Sequence, residues 1–118
     1  MNTMSAVAVF PHISPENLEE FKTLATQMLK IIQDQDSILR YDMFFNDDST
    51  RCVVLEEYSD PSGVIEHVNK NAKILARLVE LGGAIDGSVF PSSQEGEALQ
   101  EIRGSWDTKI HKHFAGKK

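Results

Sequence analysis

The sequence predicts an α+β protein of ferredoxin-like type, a split β-α-β-β-α-β unit with an antiparallel sheet and its helices on one face. Strand-like and helix-like periodicities alternate along the 118-residue chain, two neighbouring strand candidates are joined by a short polar turn, and the first helix candidate carries a single apolar stripe. A chain of this length buries roughly two thirds of the surface it would expose when unfolded. One domain over residues 1–118 is therefore expected, with a core at about 5–90 and a C-terminal extension at about 91–118.

Ser5 to His12 is rich in Val and alternates loosely, which gives strand one. Ser14 and Pro15 start a helix as cap and first-turn residue, and Glu16, Glu19 and Glu20 favour the positive end of its dipole. Leu18, Phe21, Leu24, Ala25, Met28, Ile31 and Ile32 recur at helical steps, and the helix ends near Gln35. Strand two covers Ile38 to Phe45, Asn46 to Thr50 supply turn residues, and strand three covers Arg51 to Tyr58. Asp60-Pro61 opens a second helix with apolar Val64, Val68, Leu75 and Leu78, which Asn69-Lys70-Asn71 divides into two segments and Gly82-Gly83 closes. Ala84 to Phe90 reads as strand four, Ser92 to Ile102 as a short acidic helix, and Ser105 to Phe114 as a final extended segment. The terminal lysines are expected to fray.

Composition narrows the function. With 41% hydrophobic and 25% charged residues the chain is an ordinary globular sequence, and no apolar run approaches the ~18 residues that cross a bilayer. The N-terminal stretch lacks a basic region and a long apolar core, so it is expected to be a strand rather than a signal peptide, and the protein to be cytoplasmic. A single Cys52 agrees with a reducing compartment and reads as a small buried hydrophobe. The net charge of −6 and the lack of a basic, aromatic patch argue against a nucleic-acid partner.

A single layer of helices leaves the second face of the sheet open, either to solvent or to a second copy of the chain. In the central hairpin, Tyr41, Met43 and Phe45 are expected to share the helix-side face with Val53 and Leu55. Arg40, Asp42, Phe44, Cys52, Val54, Glu56 and Tyr58 would then share the far face, a mixture that suits the wall of a polar-tipped cavity or an interface.

The residues in this region also resemble a family. Leu-Arg-Tyr-Asp at 39–42, Leu-Glu-Glu-Tyr at 55–58, Asp-Pro-Ser-Gly at 60–63 and Glu-His at 66–67 resemble the antibiotic biosynthesis monooxygenase family over roughly residues 5–80, with Tyr41, Glu56, Tyr58 and His67 at the matching positions. The resemblance implies a homodimeric α/β barrel closed by packing sheet on sheet, and a pocket in each subunit for a small aromatic or quinol-type molecule. It also implies oxidation by molecular oxygen with no cofactor and no metal. Tyr58 stands where the family typically has Trp, which keeps an aromatic wall and loses the indole donor. Strand one lacks the Asn of haem-degrading relatives, which disfavours that branch.

Two readings follow. In the first, His67 is a general base, with Glu56 and Tyr58 as further catalytic groups and Arg40, Tyr41, Phe44 and Val54 binding the substrate. In the second, the chain is a non-catalytic dimeric binding or stress-related protein in which His67 hydrogen-bonds Glu56 as a structural latch. There Arg40 pairs with Asp42 or a glutamate, and the tyrosines are packing residues. His12, His111 and His113 lack a carboxylate at ligand spacing and point only weakly to a metal. The C-terminal extension is expected to add to the dimer edge or to lid the pocket.

Overall fold

A computed structural model describes residues 2–117. Its elements are β1 (Met4–Phe10), a 3-10 turn (Pro15–Asn17), α1 (Leu18–Ile32), β2 (Ile38–Phe45), β3 (Cys52–Tyr58), α2 (Ser62–Lys70), α3 (Ala72–Gly82), β4 (Asp86–Pro91), α4 (Glu97–Ser105) and β5 (Lys109–Ile110). They follow the expected order, with three local differences. Ser14 makes no side-chain cap, and the 3-10 turn carries the chain into α1 instead. The acidic helix starts at Glu97, later than Ser92. The last segment is extended by pairing only at Lys109–Ile110. Of the terminal lysines, Lys118 lies outside the described residues.

The sheet has the order β2-β3-β1-β4-β5. Neighbours among the first four strands pair antiparallel, and β5 lies parallel along the outer edge of β4. The first four reproduce the split βαβ arrangement, and β5 is an addition from the C-terminal extension. Phe21, Ala25, Met28 and Ile32 are buried at the three- and four-residue spacing that the sequence displays. α1 lies beside α3, and the exposed Arg77 fork on Glu20 (2.8 Å for both contacts) ties them on the outside.

The hairpin register differs from the expected one by one residue. Tyr41 faces Glu56, Met43 faces Val54 and Phe45 faces Cys52, so the odd positions of β2 share a face with the even positions of β3. Cys52, Val54, Glu56 and Tyr58 are the buried residues beneath the helices. Val53 and Leu55 turn outward with Arg40, Asp42 and Phe44. Apolar residues occupy both faces of both strands, so hydrophobic pattern did not discriminate between the registers; the loop did. Asn46 Oδ1 accepts the N–H groups of Thr50 (3.0 Å) and Arg51 (2.9 Å), the Asn46 N–H donates to Arg51 O (3.2 Å), and Ser49 adopts φ 57°. A bulge between Ile38 and Arg40 then displaces Leu39, which is 56% exposed.

Two apolar clusters fill the space between sheet and helices. One joins Phe10, Phe21, Met28, Val54 and Leu78, and the other joins Met4, Ala6, Tyr58, Val64, Val89, Leu99 and Ile102. On the opposite side of the sheet Phe44 and Phe90 stand exposed beside Val7, Val53 and Leu55. Among the described residues no helix is long and apolar enough to cross a membrane.

Candidate functional site

A cavity of about 300 Å³ lies between the sheet and the helices, lined by members of both clusters. That is the size of a small-ligand pocket. Ala6, Ala8 and Phe10 from β1, Val64, Val68 and Leu75 from the helices, and Trp106 from the C-terminal segment make most of its wall apolar. Tyr41, Glu56 and His67 supply convergent polar groups.

Each polar group is placed by a local feature of the chain. Glu56 and Tyr41 meet because they are direct partners across the β2-β3 ladder. His67 is brought over the sheet by α2, whose entry is fixed where Asp60 Oδ1 accepts the Ser62 N–H (2.8 Å). Gly63 permits the approach, since a Cβ there would stand 2.9 Å from Tyr58 Cδ1 and 3.0 Å from Ser37 Oγ. Gln35 Nε2 donates to the Gly63 carbonyl (3.0 Å) and to Ser37 Oγ (2.8 Å), which anchors the same turn to the end of α1.

The hydrogen bonds assign the partners. Tyr58 Oη donates to Glu56 Oε1. His67 Nε2 lies 3.1 Å from Tyr41 Oη, and Asn71 Nδ2 lies 3.2 Å from His67 Nδ1 and donates to the His67 carbonyl (2.9 Å). An amide NH2 only donates, so Nδ1 is the acceptor and the imidazole proton sits on Nε2, which donates to Tyr41 Oη. Both ring nitrogens are thus engaged. The expected hydrogen bond between His67 and Glu56 is replaced by two separate pairs, Glu56 with Tyr58 and His67 with Tyr41 and Asn71.

Electrostatics divides the roles further. Burial pushes the Glu56 carboxyl up to about 7, with the Tyr58 hydrogen bond opposing the shift. Burial pushes His67 down to about 4, so its ring is neutral at pH 7. Burial, and then the nearby Glu56 charge, raise both Tyr41 and Tyr58, which makes them donors rather than bases. The group that can both take and release a proton near neutral pH is therefore Glu56.

The remaining expected site residues fall elsewhere. Arg40 is on the outer face, its Nε 2.6 Å from Asp42 Oδ2, the ion pair that the second sequence reading expects. Phe44 is on that same outer face and 49% exposed. Val54 is on the inner face, buried in the first cluster. Cys52 is buried, and burial raises its thiol to about 11. Among the described residues no group of three or more His, Cys, Asp or Glu side chains converges to hold a metal, and His111 stacks on Phe90 with ring centres 4.9 Å apart. One site residue escaped the sequence reading: Asn71 follows His67 by one helical turn within the polar run that breaks the helix, a spacing that could have pointed to it. Trp106 lines the cavity from the C-terminal extension, the segment expected to lid the pocket or to add to the dimer edge.

No protein-family model matches the chain, and no curated protein matches it. Solved structures match it in fold. MupZ from Pseudomonas fluorescens aligns with a TM-score of 0.79 at 21% identity, over 99% of this chain and 88% of that one. Rv0793 from Mycobacterium tuberculosis aligns at 0.68 and 19% identity, over 80% of this chain and 99% of that one. A structure named antibiotic biosynthesis monooxygenase aligns at 0.64 and 18% identity, over 79% and 99%. The expected ferredoxin-like fold is therefore shown, and the family that the motifs at 39–67 resemble appears by name among its structural neighbours.

Proposed function

We propose that the chain is a cofactor-independent monooxygenase of the antibiotic biosynthesis type, acting on a small phenol or quinol held in the cavity, with Glu56 as the proton acceptor. The observation that supports this reading is a buried carboxyl with a pKa raised to about 7, at the polar end of an otherwise apolar cavity. Glu56, rather than His67, is the base because both imidazole nitrogens are already committed.

In this scheme the Glu56 carboxylate takes the hydroxyl proton of the substrate, and the resulting electron-rich anion reacts with molecular oxygen at an activated ring carbon. One oxygen atom enters the product as a carbonyl. The second leaves as water with the two hydrogens that the substrate loses, so a phenol and O2 give a quinone and H2O. The apolar wall excludes water from the anion. A second copy of the chain covers the outer sheet face through Phe44, Phe90 and their apolar neighbours, giving a homodimer. The single buried Cys52 suits a cytoplasmic setting.

The test is oxygen uptake with 1-naphthol, followed with ¹⁸O2 for incorporation of one labelled atom into product. Glu56→Gln is expected to lower kcat/KM by about a hundredfold or more, and wild-type kcat/KM to rise with pH through about 7 as the carboxylate forms. Full turnover by Glu56→Gln, or incorporation of no label, overturns the reading.

A further inference from the structure

We propose that Asn71, acting through His67, is a positioning residue that keeps the Tyr41 hydroxyl proton directed into the cavity as a hydrogen-bond donor to the oxygen of the bound phenol or quinol. The inference rests on the cavity being the active site, and it concerns groups to which the proton-transfer scheme gives no part.

Asn71 sits at the junction of α2 and α3, where the helix path breaks with φ −113° and ψ 21°. The Asn71 N–H donates to the His67 carbonyl (3.1 Å), and the side-chain Nδ2 donates to the same carbonyl (2.9 Å). Turning the amide over would set Oδ1 against that carbonyl oxygen, so the orientation of the amide is fixed by the backbone. Its second N–H contact then falls on His67 Nδ1 at 3.2 Å. Nδ1 must accept, Nε2 must carry the proton, and that proton goes to Tyr41 Oη at 3.1 Å.

The consequence lies at Tyr41. Its oxygen already accepts from His67, so its own proton has to go elsewhere, and among the described residues no protein acceptor takes it. Tyr41 lines the cavity, and burial and the Glu56 charge both oppose its ionisation. The hydroxyl is therefore a held donor facing the ligand space, beside the carboxyl that removes the proton of the substrate. The alternative imidazole tautomer would turn Nε2 into an acceptor, draw the Tyr41 proton to His67, and leave the ligand oxygen facing a lone pair.

Nitrogen NMR of ¹⁵N-histidine-labelled protein at pH 7 decides the matter without any substrate. Neutral His67 with its proton on Nε2 is expected; a proton on Nδ1, or an imidazolium, overturns the proposal. Asn71→Asp replaces the amide donor with an acceptor and is expected to move the proton to Nδ1 or to charge the ring. Tyr41→Phe is expected to leave it on Nε2. If Tyr41→Phe shifts the tautomer, Tyr41 rather than Asn71 sets it, and the proposal fails. In oxygen uptake with 1-naphthol, both variants are expected to lose about tenfold or more in kcat/KM, and undiminished turnover by either overturns the donor role. A wild-type protein with the Nε2 tautomer and no oxygen uptake would refute the monooxygenase reading and leave the hydrogen-bond relay standing.

Discussion

The layer between sheet and helices has two halves built on opposite principles. Around Phe10, Phe21, Met28, Val54 and Leu78 it is apolar, with Tyr41 packed at its border. Around Tyr58 and Val64 the second apolar cluster borders Glu56, His67 and Asn71, all at most 8% exposed. Buried polar groups of this kind cost stability unless each finds a partner, and here each ionisable one is paired with a neutral donor or acceptor rather than with an opposite charge. The contrast teaches that the first half holds the fold and the second half carries the groups to which the proposed chemistry is assigned. Beside the first half lie only Cys52 and the bordering Tyr41, whose ionisation burial opposes, whereas the second half sets a carboxyl near 7.

The largest effect that would test this division is in the first half. Leu78 is fully buried, and Leu78→Ala is expected to cost about 4 kcal/mol by urea denaturation. The same measurement should show that the loss is independent of pH between 4 and 8. A loss that varies strongly with pH would mean that the two halves are not separable.

The second half should show the reverse, a modest mean effect with a strong pH signature. The folded-state pKa of Glu56 is raised from 4.5 to about 7, so the unfolded chain releases that proton first, and stability from this group falls as pH rises through that window. His67 is lowered from 6.5 to about 4, so the unfolded chain gains its proton first, and stability from this group falls as pH drops through that window. Each amounts to ~3 kcal/mol, and they oppose one another over most of their range. Wild-type urea midpoints should therefore vary little between about pH 4.5 and 6.5. Glu56→Gln should become more stable with rising pH, and His67→Asn less stable. Parallel profiles for the two variants would contradict the assigned shifts.

The smallest stability effect is expected at the rim. Trp106 is partly buried and packs against the second cluster from outside the main fold. Trp106→Ala should cost about 1 kcal/mol while raising KM for 1-naphthol several-fold. A large loss of stability with unchanged KM would return Trp106 to the core.

How much of this could be read in advance depended on the range of the interactions involved. The stripe of α1, the break at Asn69-Lys70-Asn71 and the hairpin strands are local patterns, and the chain displays them directly. Tyr41, Glu56, Tyr58 and His67 could be singled out because their order along the chain resembles a known pattern. Their partners could not be assigned. Which face Glu56 occupies depends on the Asn46 loop and its register, and the sequence pattern supports either choice because Val53, Val54 and Leu55 are all apolar. The expected register puts Arg40 and Phe44 on the same face as Glu56, and they lie across the sheet from it. Burial likewise leaves His67, read as either a base or a latch to Glu56, neutral at pH 7 and hydrogen-bonded to Tyr41 and Asn71, an outcome that no spacing rule contains.

The parallel pairing of β5 has one further consequence. The four antiparallel strands and the helices complete a fold without it, yet its approach segment, Trp106 to Thr108, forms one wall of the cavity. That segment is attached by two strand pairings, the His111 N–H to Val89 O bond (3.0 Å) and the exposed Lys109–Asp86 ion pair (3.1 Å). In the proposed reaction, chemistry and selectivity sit on separable modules, because Glu56 belongs to the central sheet while one wall of the cavity belongs to an appended arm. Such a division lets the arm be exchanged for another, and the range of accepted molecules with it, while the proton-handling centre is left as it is.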